Sequence, residues 1–122
     1  MKYIRTKDGI YEYSLCDKIT INGINGLYIQ HDLKGNFISL NEVLNQADTI
    51  EELCDEFVAW TDGYETPITC PLKEKERFER LKGLILLGIN NKINCWLKLA
   101  IWTDKGLIYV AKMNDKGKLE LL

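Results

Sequence analysis

The sequence has few of the residues that most often bind metals or act as nucleophiles. It contains one histidine, His31, among 122 residues, and its four cysteines are far apart, with no CxxC pair. Zinc sites made from cysteine and histidine need closely spaced ligand pairs, and that spacing is absent. We therefore expect no metal site and no cofactor. We interpret the cysteines as small hydrophobic residues that the cytosol keeps reduced. They are Cys16, Cys54, Cys70 and Cys95.

The local motifs of catalysis and of phosphate binding are absent as well. The sequence has no GxSxG, no P-loop and no GxGxxG, which are the patterns of a serine nucleophile and of glycine-rich phosphate cradles. His31 lies beside Asp32 in a turn-like segment. A histidine–cysteine pair stays open there as an alternative, although a surface histidine is the simpler interpretation. We predict that the protein is not an enzyme and has no catalytic residues.

Long apolar runs are also missing. The longest uncharged one covers residues 84–89, far short of the roughly 20 residues that span a bilayer. Residues 1–15 carry charges where a signal peptide has an uncharged apolar core. The net charge of −2 provides no basic excess for binding phosphates. We therefore predict a cytoplasmic protein that contacts neither membranes nor nucleic acid directly.

Turn-forming pairs divide both ends of the chain into short segments. Aspartate or asparagine repeatedly stands shortly before glycine, a pattern that suits tight reversals between strands. The N-terminal segments 10–15, 18–21, 27–30 and 36–40 are predicted to form a small antiparallel meander. From residue 93 the pattern alternates again and predicts a three-stranded C-terminal meander. The turn pairs lie at 8–9, 22–26, 32–36, 62–63, 104–106 and 115–117.

Two helices are predicted in the middle of the chain. The first begins at Thr49, which forms a capping box with Glu52, and ends before Gly63. The second begins at Pro71 and runs toward Gly88. The apolar residues with helical spacing are Ile50, Leu53, Cys54, Phe57, Val58 and Trp60 in the first helix and Phe78, Leu81 and Ile85 in the second. We expect a single α+β domain over residues 1–122, with antiparallel strands at both ends and two central helices packed on the sheet.

Charge is unevenly distributed along the chain. Residues 1–34 carry +1 and residues 73–122 carry +5, whereas residues 35–72 contain eight acidic and no basic residues. These carboxylates are interpreted either as a solubilising surface that also favours the helix N-terminus or as a docking patch for a basic partner. One example of such a partner is a protein with a basic groove that normally binds nucleic acid. The candidate partner-binding residues on the first helix and after it are Glu51, Glu52, Asp55, Glu56, Asp62 and Glu65.

The predicted C-terminal strands are apolar on both sides. This pattern favours a central strand covered by a helix on one side. A protein interface is the alternative, because tryptophan and tyrosine are enriched at binding hot spots. Trp96 and Trp102 are the candidate interface aromatics, and a homodimer through the C-terminal sheet is the simplest form of such an interface.

Three segments carry a resemblance to other proteins. They are MKYIRTKDGIYEYS at 1–14, QADTIEELCDEFV at 46–58 and IWTDKGLIYVAKMNDKGKLELL at 101–122. Together they resemble small accessory proteins encoded by phages and prophages of low-GC Gram-positive bacteria, a class without an assigned reaction. The resemblance implies a protein that acts by binding a host or phage protein. Inhibition of a host defence system, as by anti-CRISPR proteins, is the concrete form of this hypothesis, with the acidic helix face as the binding surface.

A small-molecule binder is the alternative function. A protein that sequesters a signalling nucleotide needs a pocket where basic and aromatic side chains converge. The sequence offers Arg77, Arg80, Lys98, Trp96 and Trp102 for such a pocket. A structural virion component is disfavoured, because the chain has no assembly repeat.

Overall fold

The computed structural model describes residues 2–29 and 37–122. The chain divides into two compact units, one ending at Leu53 and the other covering Cys54–Leu122. The predicted turn at 32–36 and His31 lie outside the described residues. Among the described residues, no helix combines the length and the apolar character needed to cross a bilayer.

The first unit contains two antiparallel sheets of three strands each, ordered β2–β1–β6 and β3–β4–β5. Short 3₁₀ turns connect some of the strands. The predicted turn at Asn22-Gly23 is confirmed, because both residues have positive φ, as a tight turn between β3 and β4 requires. The predicted turn at Asn25-Gly26 is wrong, because both residues lie within β4. The strands are β1 Tyr3–Thr6, β2 Gly9–Glu12, β3 Cys16–Ile21, β4 Ile24–Ile29, β5 Phe37–Ser39 and β6 Asn45–Ala47.

Buried aliphatic side chains form the core of the first unit. Ile4, Leu27 and Leu53 are almost completely buried. Gly26 of β4 has a steric role, because a methyl group added there would overlap the Phe37 ring and the backbone oxygen of Ile38. The absence of a side chain at this position therefore lets β5 pair closely with β4.

The second unit is one five-stranded antiparallel sheet, ordered β11–β10–β9–β7–β8, with a single α-helix packed on β7 and β9. Its largest buried side chains include Phe57 and Phe78. The elements are β7 Glu56–Thr61, β8 Ile68–Pro71, α1 Lys75–Asn90, β9 Cys95–Thr103, β10 Gly106–Met113 and β11 Leu119–Leu121. The predicted C-terminal meander of three strands is thus confirmed.

The prediction of a helix from Thr49 is wrong. Glu51–Leu53 form only a 3₁₀ turn, and Glu56–Thr61 form strand β7. Phe57, Val58 and Ala59 are all buried, because β7 is a central strand with neighbours on both edges and buried residues on both faces. A run of consecutive buried residues satisfies the spacing of a helix face as well as that of a central strand.

The second predicted helix is present, but it starts later. Lys75–Asn90 form α1, whereas Pro71 is the last residue of β8. Phe78 and Ile85 of the predicted inward stripe are buried. The described residues are therefore mostly β, with one α-helix and three sheets, and the expected pair of central helices on a sheet is wrong. The N-terminal strands likewise form two separate sheets instead of one meander.

Candidate functional site

The two faces of the five-stranded sheet carry different side chains. Consecutive residues of a strand point to opposite faces, and Phe57 packs against Phe78 of α1 with ring centroids 5.3 Å apart. Leu99 lies opposite Phe57 in the register and shares the face that α1 covers. We call the other face the aromatic face. It contains Trp60 of β7, Trp96, Lys98 and Trp102 of β9, and Tyr109 of β10.

Three aromatic rings form a row across the aromatic face. Trp60 and Trp96 are register partners, and their rings stack with centroids 6.3 Å apart and planes 23° apart. Tyr109 meets Trp96 from the other side in an edge-on contact, with centroids 6.2 Å apart. Aromatic pairs in these geometries contribute about 0.5–1.5 kcal/mol beyond the area that they bury. The row therefore holds its rings in fixed positions.

A β-bulge in β10 determines which side chains reach the aromatic face. The register shifts between Tyr109, which pairs with Ala100, and Ala111, which pairs with Leu99. A bulge adds one residue to a strand and so changes the alternation beyond it. Tyr109 therefore points to the aromatic face, while Ala111 is completely buried on the side of α1.

The lysines of this face interact with neighbouring groups. Lys98 and Lys112 are register partners on β9 and β10, and like charges directly opposite each other are unfavourable. The Lys98 ammonium lies 4.7 Å from the Trp96 ring centroid and 5.0 Å from that of Tyr109, a cation–π arrangement. Lys112 forms an ion pair with Glu120, at an N–O distance of 3.7 Å. These contacts separate the two lysine charges.

Two of the predicted acidic residues hold Trp102. The backbone N–H of Trp102 donates to Asp55 Oδ2 at 2.8 Å, and its indole N–H donates to Glu56 Oε1 at 3.1 Å. The backbone N–H of Asp55 donates in turn to the Ala100 oxygen at 3.0 Å. The Asp55 carboxylate thus supplies an acceptor for β9 at the point where β7 begins. Both carboxylates have a structural role that the charge pattern alone did not indicate.

Alanine at Asp55 is expected to destabilise the second unit by about 1–2 kcal/mol, because it leaves the Trp102 backbone N–H without this charged acceptor. The matched control is Asp62→Ala, which removes an exposed carboxylate and should change the free energy of unfolding by less than about 0.5 kcal/mol. Urea unfolding of the two variants measures the difference. Equal stabilities would show that the Asp55–Trp102 hydrogen bond is not important for the fold.

The six predicted acidic residues do not form one helix face. Glu51 and Glu52 lie in a 3₁₀ turn of the first unit, while the other four belong to the second unit. Asp62 and Glu65 are exposed in the connection that follows β7. The predicted acidic helix face is therefore wrong, because Asp55 immediately precedes strand β7 and Glu56 is its first residue.

The predicted nucleotide pocket is not assembled either. Arg77 and Arg80 lie on α1, which packs on the face opposite to Trp96, Lys98 and Trp102. The basic and aromatic residues that the sequence offered are consequently separated by the sheet.

The structure brings the two predicted interface tryptophans to the same face and adds residues that the sequence interpretation missed. Trp102 is 55% exposed and Tyr109 is 44% exposed, while Trp60 and Trp96 are half-buried. The sequence predicts Trp60 on a helix, whereas it lies on β7, and residues 56–61 carry no local pattern that indicates its place on this face. Preformed clusters of partly exposed tryptophan and tyrosine are typical of binding hot spots.

Cys16, Cys70 and Cys95 are not in disulfide bonds in the structure. Cys70 is buried, and the other three cysteines of the chain are half-buried. The Cys95 thiol donates to the Ile85 backbone oxygen at 3.4 Å, and burial raises the pKa of the Cys16 and Cys95 thiols. A raised pKa lowers the thiolate fraction at neutral pH, so these two thiols are poor nucleophiles. Within the described residues, no three His, Cys, Asp or Glu side chains cluster as metal ligands do.

No protein-family model, curated protein or solved structure matches the chain.

Proposed function

We propose that the protein acts by binding another protein through the aromatic face, without catalysis. The observation that supports this function is the row of Trp60, Trp96 and Tyr109, held in fixed positions beside an exposed Trp102. Rigid aromatic side chains bury a large area with little loss of conformational entropy when a partner binds. A preformed surface of this kind binds without first having to be ordered.

The partner is expected to present an apolar patch. Glu56 already accepts from the Trp102 indole, Lys112 is paired with Glu120, and the Lys98 ammonium is shared by two rings. The charged side chains of the aromatic face thus interact with neighbouring side chains of the same face. The face therefore favours neither a strongly basic nor a strongly acidic partner. This replaces the acidic docking patch as the binding surface in our proposal.

The biological role that we propose rests on the resemblance to phage and prophage accessory proteins. In this role the protein acts in the cytoplasm of a bacterial host, where it binds a host or phage protein. Inhibition of a host defence system is the most concrete version, and a nucleic-acid-binding effector is the partner class that it implies. The alternative to a host or phage partner is a second copy of this chain bound at the aromatic face. Sedimentation velocity of the purified protein would detect such a homodimer.

Site-specific photo-crosslinking tests the binding surface. A photoreactive phenylalanine analogue at position 109 should capture the same protein repeatedly from bacterial lysate. The analogue at position 52 tests the acidic residues, and position 87 on α1 is the matched control because Leu87 is similarly exposed. Capture of that protein only from position 52 or 87 would overturn the proposal.

Salt dependence of binding distinguishes an aromatic surface from an acidic one. With the captured partner purified, the Kd should change by less than about threefold between roughly 50 and 300 mM NaCl, because salt screens charge attraction and leaves apolar burial intact. The variant Glu51→Gln/Glu52→Gln should bind like the wild type. A loss of affinity of about tenfold or more over this range would instead indicate electrostatic docking.

A further inference from the structure

The first unit contains an open cavity of about 770 Å³ that the proposed protein-binding function does not use. Residues of both its sheets line the cavity, including Ile4 and Gln46 from one and Leu27 from the other. Its volume lies within the range of about 300–1,000 Å³ that is usual for small-molecule sites. All of its lining residues belong to the first unit.

Aliphatic side chains are the largest group among the described lining residues, six of thirteen, and five others are polar or charged. Leu40 and Leu44 are 54% and 64% exposed, so apolar surface on the cavity wall stands in contact with water. Burial of exposed aliphatic surface by a ligand is favourable at about 25 cal/mol per Å². Tyr13 is the only aromatic side chain that the described part of the chain contributes to the lining, and one ring provides little stacking for a nucleobase. An aliphatic ligand therefore fits the cavity better than a nucleotide.

The charge of the cavity lining also restricts which ligands fit. Among the described residues, Lys18 is the only charged one that lines the cavity. Its ammonium lies 5.9 Å from the centroid of the Tyr13 ring, which is also part of the wall. The positive charge therefore lies beside the aromatic part of the cavity wall. A carboxylate can pair with this ammonium, and the amides of Asn25, Asn45 and Gln46 supply uncharged donors nearby.

We propose that this cavity is a binding site for a small aliphatic carboxylate, such as a medium-chain fatty acid. The alkyl chain lies against Leu40, Val43 and Leu44, and the carboxylate pairs with Lys18. The proposal is independent of the aromatic face, because no residue of that face lines the cavity.

Titration of the ¹⁵N-labelled protein with sodium decanoate, followed by NMR, tests the site. Saturable shifts are expected at the amides of Ile19, Leu27 and Gln46, with a Kd below about 1 mM. Decyltrimethylammonium, which has the same chain and the opposite charge, should bind about fivefold more weakly, which corresponds to the roughly 1 kcal/mol that one exposed ion pair can contribute. The absence of saturable shifts, or equal binding of the two amphiphiles, would overturn the proposal.

Three variants separate the contributions of charge and apolar surface. Lys18→Gln should weaken decanoate by about fivefold and leave decanol unchanged, because decanol carries no charge. Leu44→Ser should weaken both, and since Leu44 is largely exposed the fold should be kept. Leu84→Ser on α1 is the matched control and should bind as the wild type does. If Lys18→Gln left the decanoate affinity unchanged, the assignment of a carboxylate ligand would be wrong.

Discussion

Trp96→Ala is expected to weaken binding of the protein partner by about 30-fold or more, which corresponds to roughly 2 kcal/mol. Trp96 is the centre of the aromatic face, because its ring contacts both Trp60 and Tyr109 and lies under the Lys98 ammonium. Its removal takes away a contact area and also the neighbour that positions two other rings. Hot-spot residues at the centre of an interface produce losses of this size.

Isothermal titration calorimetry with the partner captured at position 109 measures this loss. Leu87→Ala is the matched control, because Leu87 is a comparably exposed apolar side chain on α1, and it should change the affinity by less than about threefold. Trp96→Phe should recover part of the affinity, since it keeps an aromatic ring. Circular dichroism should show that each variant is folded. A folded Trp96→Ala variant that binds within threefold of the wild type would contradict the proposed function.

Phe78→Ala is expected to lower the free energy of unfolding of the second unit by about 3–5 kcal/mol. Phe78 is only 1% exposed, and its ring is tilted against that of Phe57 with centroids 5.3 Å apart. It is the largest side chain that α1 buries against the sheet. Alanine leaves a cavity between helix and sheet and removes the aromatic pair, and neither loss is compensated elsewhere.

Urea unfolding and hydrogen exchange resolved by peptide measure this effect. Protection should fall across β7, β9 and α1 in the Phe78→Ala variant. The control Leu84→Ala replaces a helical side chain that is 56% exposed, and a change of less than about 0.5 kcal/mol is expected. A loss below about 1 kcal/mol for Phe78→Ala would mean that α1 is not fixed to the sheet through this residue.

Elements defined by local chemistry were predictable from the sequence. Asn22-Gly23 and the Asp104-Lys105-Gly106 reversal have the positive φ angles that their residue types permit, at Asn22, Gly23 and Gly106. Helix α1 was predictable over most of its length, because exposed charged pairs alternate with Phe78 and Ile85 at helical spacing. In each case neighbours within a few residues determine the conformation.

Strand β7 was not predictable in the same way, because tertiary contacts determine it. Phe57, Val58 and Ala59 are buried by the neighbouring strands and by α1, none of which is visible in a short window of sequence. For the same reason, only part of the aromatic face could be predicted from the sequence. Strand alternation placed Trp96 and Trp102 together, but Tyr109 depends on the β10 bulge.

The outermost strands of the five-stranded sheet limit how copies of the protein associate. The sheet ends in β8 and β11, which have four and three residues, whereas β9 between them has nine. Pro71 at the end of β8 has no N–H to donate to an added strand. Short edges and edge proline oppose the strand-by-strand growth that leads to fibrils. Any dimer formed through this sheet should therefore assemble face to face, and concentrated solutions should resist amyloid-like aggregation.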